Sequence, residues 1–299
     1  MNAMFGGIVM AFALGCGIAI GAPLADAVNA SGRGGQLVAA IPVSAVAGVL
    51  VLLTLRRSRR TWASLGFGET GASVRALLTG VGITAASAAL VLGAGTAVGL
   101  LSWTRPDLSQ LVAFVAVNGL VALLLEAFPE ETTLRGLTWT SLRERRSATV
   151  AALGTTLVFM AVPGAASAVA AAIRRVTGGE PVPVRLAPPG QHTADYLVLL
   201  FVFGLTLVAA RTALRRAPLW TAIGTHLTFL TVNRVTLEGQ DRNAGWSADR
   251  ISPDAVLLIP LYLLVAAAAF VVCGRLGRSG RGPVSGESAS SALTAGPAR

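Results

Sequence analysis

Apolar runs of about twenty residues alternate along the chain with short polar stretches that carry most of the charge. A bilayer core of about 30 Å is crossed by roughly 20 residues of α-helix rising about 1.5 Å each. Eight runs are candidates: 4–28, 36–55, 74–103, 108–128, 148–173, 196–210, 219–235 and 253–274. The 196–210 run is short, and the 74–103 run is long enough to need tilt or a break. In lipid the backbone must satisfy its own hydrogen bonds, and the runs are too long for barrel strands. The pattern therefore predicts an all-α, polytopic transmembrane helix bundle of about eight helices.

Composition agrees. Of 299 residues, 54% are hydrophobic and 13% charged, against roughly 25% charged in a soluble domain. All 24 basic residues are arginines. Clusters follow the second run (Arg56, Arg57, Arg59, Arg60), the fourth (Arg143, Arg145, Arg146), the sixth (Arg211, Arg215, Arg216) and the eighth (Arg275, Arg278, Arg281). With eight spans these clusters share one side, which the positive-inside rule makes cytoplasmic, with both termini there. Arg33, Arg105, Arg174, Arg175 and the mixed-charge segment 237–252 fall on the other side. The net charge of +10 is explained by topology, and no nucleic-acid partner is called for. The partner that composition demands is the lipid bilayer, and the location is a cell membrane crossed several times. Cys16 and Cys273 lie in or beside apolar runs and read as packing residues. The first run lacks a basic start and a clear cleavage site, so it is kept as a helix. The Gly-, Ser-, Ala- and Pro-rich segment 278–299 is expected to be a disordered tail. No internal repeat stands out.

Ionisable groups at membrane depth are costly unless paired or hydrated, so they mark candidate sites. One lies in Glu126-Ala-Phe-Pro-Glu-Glu-Thr-Thr-Leu-Arg-Gly136, at the cytoplasmic end of the fourth run. Pro129 cannot donate to Leu125, so the helix is expected to kink or restart there. Glu131 and Arg135, four apart, share a face as an ion pair, while Glu130 points about 100° away. One carboxylate is then held and the other is free to act as a general base. A plain salt bridge at a helix end fits the same spacing. The second site is His226 in the seventh run, with Thr225, Thr228, Thr231 and Asn233 nearby. Interhelical hydrogen bonding is the alternative reading.

These residues resemble the CPBP family of intramembrane proteases, which includes CAAX prenyl endopeptidases and bacteriocin-immunity proteins. Its first motif, Glu-Glu-x-x-x-Arg followed by Gly, matches Glu130, Glu131, Arg135 and Gly136. The lead-in to its third motif matches Phe203-Gly204-Leu205, Leu219-Trp220 and Ala222-Ile223-Gly224-Thr225-His226, and Trp62 to Gly68 resembles the family's juxtamembrane segment. The resemblance covers about residues 62–233. It implies an endopeptidase that cleaves a peptide or protein substrate near the cytoplasmic face. Glu130 would be the base activating a water, Glu131 and Arg135 its supporting pair, and His226 an oxyanion donor. It also divides the chain into N-terminal helices (1–60), a CPBP-like core (61–277) and the tail.

Two positions depart from the family pattern. Pro163, after Phe159-Met-Ala-Val, stands where motif two has histidine, and Leu230 stands where motif three has asparagine. His192 in a loop and Asn233 on the seventh helix are the only spare groups of that type nearby. In the family's older reading a divalent metal such as zinc is bound. A catalytic zinc wants about three protein ligands, and Glu130, Glu131 and His226 would have to supply all of them with Glu131 already paired. No cofactor is therefore predicted. A non-catalytic relative that binds a peptide or partner protein, as a scaffold or immunity factor, is the second reading. A transporter using Glu126, Glu130 and His226 is a third, disfavoured by the lack of repeats.

Overall fold

The computed structural model describes residues 4–30 and 32–279. The long helices are α1 (Phe5–Ala27), α2 (Gly32–Ser58), α4 (Thr70–Ala97), α5 (Leu108–Arg143), α6 (Ala148–Thr177), α7 (Thr193–Ala213), α8 (Pro218–Thr236) and α9 (Leu258–Ser279), with a one-turn α3 (Trp62–Leu65) after α2. Local chemistry sets their ends. Asp107 and Ser147 cap α5 and α6 by accepting the Gln110 and Val150 amides. Gly66 closes α3 at a φ of 104° that only glycine adopts freely. Pro218 opens α8 at its first turn. The long 74–103 run breaks after α4 into β1 (Leu101–Trp103), which pairs antiparallel with β2 (Ala248–Arg250). Trp103 and Trp246 stack beside this two-stranded ladder, centroids 4.5 Å apart. The expected all-α membrane bundle is thus borne out. The tail expected from residue 278 lies outside the described residues apart from its first two, where α9 ends.

Seven of the long helices are apolar enough to cross a membrane, and each shows bulky apolar side chains outward, such as Phe12, Leu53, Leu90, Leu120, Leu157, Val198 and Leu264. The eighth, α8, falls short in hydropathy. The reason is position: none of its residues is exposed. At 19 residues it spans about 29 Å, enough to cross, but its side chains are buried or half-buried among the other helices. Glycines allow the closest approach. A Cβ on Gly80 of α4 would sit 2.2 Å from the Thr221 carbonyl of α8, and one on Gly224 of α8 would sit 2.4 Å from the Leu77 carbonyl of α4.

Contacts between helix ends put the arginine clusters on one face. Arg60 after α2 pairs with Glu144 after α5 at 2.7 Å. Arg211 on α7 donates to the Leu65 carbonyl of α3 at 3.0 Å. Gly274 of α9 lies against Ala213 at the end of α7.

One expectation is corrected. The sequence pattern ends the fourth run near residue 128, with a kink or restart at Pro129. Instead α5 is continuous from 108 to 143, and two π-helical stretches, Leu123–Ala127 and Glu131–Thr138, flank the proline. In π register Pro129 faces the Leu124 carbonyl, to which it cannot donate. The Ser44 hydroxyl of α2 donates to that carbonyl instead, so the helix continues with its acceptor satisfied. Glu130 consequently lies 13 residues before Arg143, about 20 Å from the arginine face, rather than at a helix end.

Candidate functional site

A cavity of about 320 Å³ opens between α1, α5, α6, α7 and α8. Most of its wall is apolar, including Leu14, Val162, Leu200 and Phe229. Four polar side chains reach it: Glu126, Glu130, Tyr196 and His226. The structure therefore brings Glu130 and His226, 96 positions apart in sequence, to one enclosed space. The wall also contains Phe159, Pro163 and Leu230. The two positions that depart from the family pattern thus face the space where the pattern would have put polar groups.

Behind the wall is a buried ionic chain. Arg135 and Glu131 are both fully buried and pair at 3.2 Å through Glu131 Oε1. The same oxygen lies 2.9 Å from His226 Nδ1. Arg135 is held from its other side as well. Its guanidinium sits 4.5 Å from the centre of the Phe159 ring, and its Nη2 lies 3.5 Å from the Gly204 carbonyl. The His226 ring meets Phe203 edge to face at 4.9 Å, and Phe203 stacks on Phe229 at 3.9 Å. Packing and one carboxylate contact together hold the imidazole in place. A carboxylate opposite Nδ1 fixes the proton there, which leaves Nε2 as the working nitrogen. Glu131 thus contacts the histidine as well as Arg135, a second partner that neither the spacing nor the resemblance gave it.

Glu130 differs from its neighbour. It forms no ion pair and makes no side-chain hydrogen bond among the described residues, although the carboxylates on either side of it, Glu126 and Glu131, each hold an arginine. Its carboxylate borders the cavity unheld. Thr133, one turn on, keeps its hydroxyl on the Pro129 carbonyl at 2.7 Å and does not compete for the carboxylate.

A second pair closes one end of the site. Arg234 of α8 reaches Glu126 and, at 3.2 Å, the Asn118 side chain. Sequence reasoning gives Arg234 no role, although an arginine in a run otherwise free of charge is a signal for one. Tyr196 was likewise missed, since a tyrosine at the start of an apolar helix is ordinary interfacial chemistry. The spare groups do not come in. His192 is exposed, 3.8 Å from Asp195, and Asn233 accepts from the Tyr262 hydroxyl at 3.0 Å, away from the cavity wall.

Zinc does not fit these residues. Oε1 of Glu131 already meets both Arg135 and His226, and Nδ1 of His226 is occupied by it. Of the cavity-lining groups of this set only Glu130 and the far ring nitrogen remain, since the second Glu131 oxygen lies buried behind the wall, and the nearby wall positions are Pro163 and Leu230, neither of which can ligate. Among the described residues no group of three or more His, Cys, Asp or Glu side chains is arranged to hold a metal ion.

Comparison with known proteins gives one match. Residues 112–232 match the family model described as type II CAAX prenyl endopeptidase Rce1-like. No curated protein and no solved structure gives a significant match. The matched segment runs from within α5 to within α8 and holds Glu130, Glu131, Arg135 and His226.

Proposed function

We propose, from the match of residues 112–232 to the Rce1-like endopeptidases, that this multi-pass membrane protein hydrolyses a peptide bond inside the cavity, with Glu130 as general base. The observation that carries the reading is the division of labour between adjacent glutamates. Glu131 is consumed by Arg135 and His226, and Glu130 is left free in the same water-poor space. In the proposed reaction Glu130 takes a proton from a water whose oxygen attacks the scissile carbonyl carbon. The carbonyl oxygen becomes an oxyanion next to His226, which donates to it from Nε2 in the imidazolium form, with Nδ1–H kept on Glu131. Collapse breaks the carbon–nitrogen bond, and Glu130 returns the proton to the leaving nitrogen. General acid–base catalysis of this kind contributes roughly 10²–10⁴-fold, and an oxyanion donor on the order of 10²–10³-fold. The positive-inside rule assigns the arginine face, with both termini, to the cytoplasm, so the substrate would enter from that leaflet.

One observation favours the non-catalytic reading. Pro163 and Leu230 make two wall positions apolar, which suits binding a peptide better than hydrolysing it. A cleavage assay on the full chain reconstituted in lipid, over a broad panel of membrane-associated peptides, separates the two. Turnover by wild type that is abolished in Glu130→Gln is the expected result. Equal rates in the two proteins above a protein-free blank would remove Glu130 from the mechanism. Absence of cleavage across the panel, with retained peptide binding, would move the assignment to a peptide-binding relative.

A further inference from the structure

The arginine face holds more positive charge than its ion pairs account for. Arg60 is neutralised by Glu144, and Arg211 is engaged by the Leu65 carbonyl. Arg75, Arg215 and Arg216 have no acidic partner within ion-pair distance. All three stand on the rim of an open groove of about 1320 Å³ formed by the start of α4, the loop between α7 and α8, and the end of α9. Glu69 is the one acid on the rim, so three arginines less one glutamate leave it at +2. Below the rim the groove turns apolar, with Ile83 and Val272 on its floor. Ile83 lies eight residues along α4 from Arg75, about 12 Å deeper.

We propose that this groove binds an anionic phospholipid, with the phosphate on Arg75, Arg215 and Arg216 and an acyl chain along Ile83 and Val272. Three considerations select that occupant. Guanidinium groups offer paired donors that match phosphate oxygens. A basic rim directly above an apolar floor at the end of membrane helices reproduces the head-to-tail order of a lipid. A zwitterionic lipid would bring its own ammonium among three guanidiniums, whereas an anionic headgroup brings no opposing charge. Inorganic phosphate could use the rim but gains nothing from the floor. The groove is separate from the cavity that holds Glu130, and no residue lines both. It adjoins Pro218, where α8 begins, so a bound lipid would brace the helix that carries His226.

The test is thermal unfolding of the full chain, purified in a mild detergent, during titration with dioleoyl phosphatidylglycerol. Parallel titrations use dioleoyl phosphatidylcholine and inorganic phosphate. Phosphatidylglycerol is expected to raise the melting temperature saturably, and the other two to leave it nearly unchanged. Arg75→Gln/Arg215→Gln/Arg216→Gln should raise the half-saturating concentration roughly a hundredfold, at about fivefold for each arginine. Val272→Trp keeps the rim and fills the floor, since Val272 lines the groove and is 53% exposed; it should weaken the response at least several-fold. Arg145→Gln/Arg146→Gln, in a different cluster on the same face, should respond as wild type does. Equal titrations for wild type and the triple variant would overturn the proposal. So would an equal response to phosphatidylcholine or to inorganic phosphate, no response in wild type, an unaltered response in Val272→Trp, or an equal loss in the Arg145/Arg146 variant.

Discussion

Arg135→Met tests whether the ionic chain behind the cavity is structural. The substitution keeps an unbranched side chain of similar length and removes the charge. In the native protein Arg135 is 0% exposed and shares a carboxylate oxygen with His226. The other Glu131 oxygen is buried with no partner, so without Arg135 the carboxylate keeps the imidazole alone. Breaking one side of a buried pair costs roughly 3–5 kcal/mol, because the remaining charge is left uncompensated. The cation–π contact with Phe159 adds up to about 2 kcal/mol when desolvated. At roughly 2–4 °C per kcal/mol for chains of this size, the melting temperature should fall on the order of 10 °C. Thermal unfolding of the purified full chain, followed by size-exclusion of heated samples, reads this directly. A companion variant isolates the cause. Glu131→Gln/Arg135→Met removes both charges, and replacing a buried pair by neutral groups is often close to neutral. The double variant should therefore recover most of the lost stability, a coupling that a double-mutant cycle quantifies. An unchanged melting curve in Arg135→Met would show that the pair is dispensable. A double variant that falls as far as the two single changes summed would show that packing, not charge, governs the site.

Other outcomes follow from the same contacts. Gly80→Val should abolish folded yield on size exclusion, because its Cβ would lie 2.2 Å from the Thr221 backbone oxygen, whereas Gly82→Ala, with nothing within 4 Å, should be silent. Tyr262→Phe should lower stability by about 1 kcal/mol by removing the donor to Asn233, read as a shift in melting temperature. Pro163→His combined with Leu230→Asn should raise peptide turnover, since both positions face the cavity; a rate at or below wild type, in a variant that melts normally, would show that these positions do not limit the chemistry.

The sequence made the membrane architecture legible because lipid imposes a simple rule: seven helices advertise themselves by hydropathy alone. The eighth, α8, was found despite its threonines, histidine, asparagine and arginine, and the structure explains those residues by placing the helix inside the bundle with no exposed residue. The extent of α5 was not legible. A proline next to two glutamates reads as a helix end, and the compensation that prevents it, the Ser44 hydroxyl on the Leu124 carbonyl, comes from a residue 80 positions away. Spacing identified Glu131 and Arg135 as a pair, because that relation is local. It could not give Glu131 its second partner, since nothing in a linear sequence says which helix His226 will pack against. Arg234 escaped for the same reason: at the edge of an apolar run it looks like an interfacial anchor, and only the folded bundle brings Glu126 and Asn118 to it.

The two π-helical stretches of α5 make this helix sensitive to counting. Each residue advances an α-helix by about 100°, and a π turn holds one residue more than the ladder around it. The faces before and after residues 123–127 and 131–138 are therefore set by how many residues intervene as much as by which ones they are. Deleting a single residue from 123–127 would remove that extra residue, let the ladder close in α register and keep the downstream faces where they are. The same deletion in the α-helical segment 108–122 would rotate everything downstream by about 100° and swing Glu130 out of the cavity. In a comparison of related chains, a one-residue difference in length within this helix should therefore fall in 123–138 rather than before it.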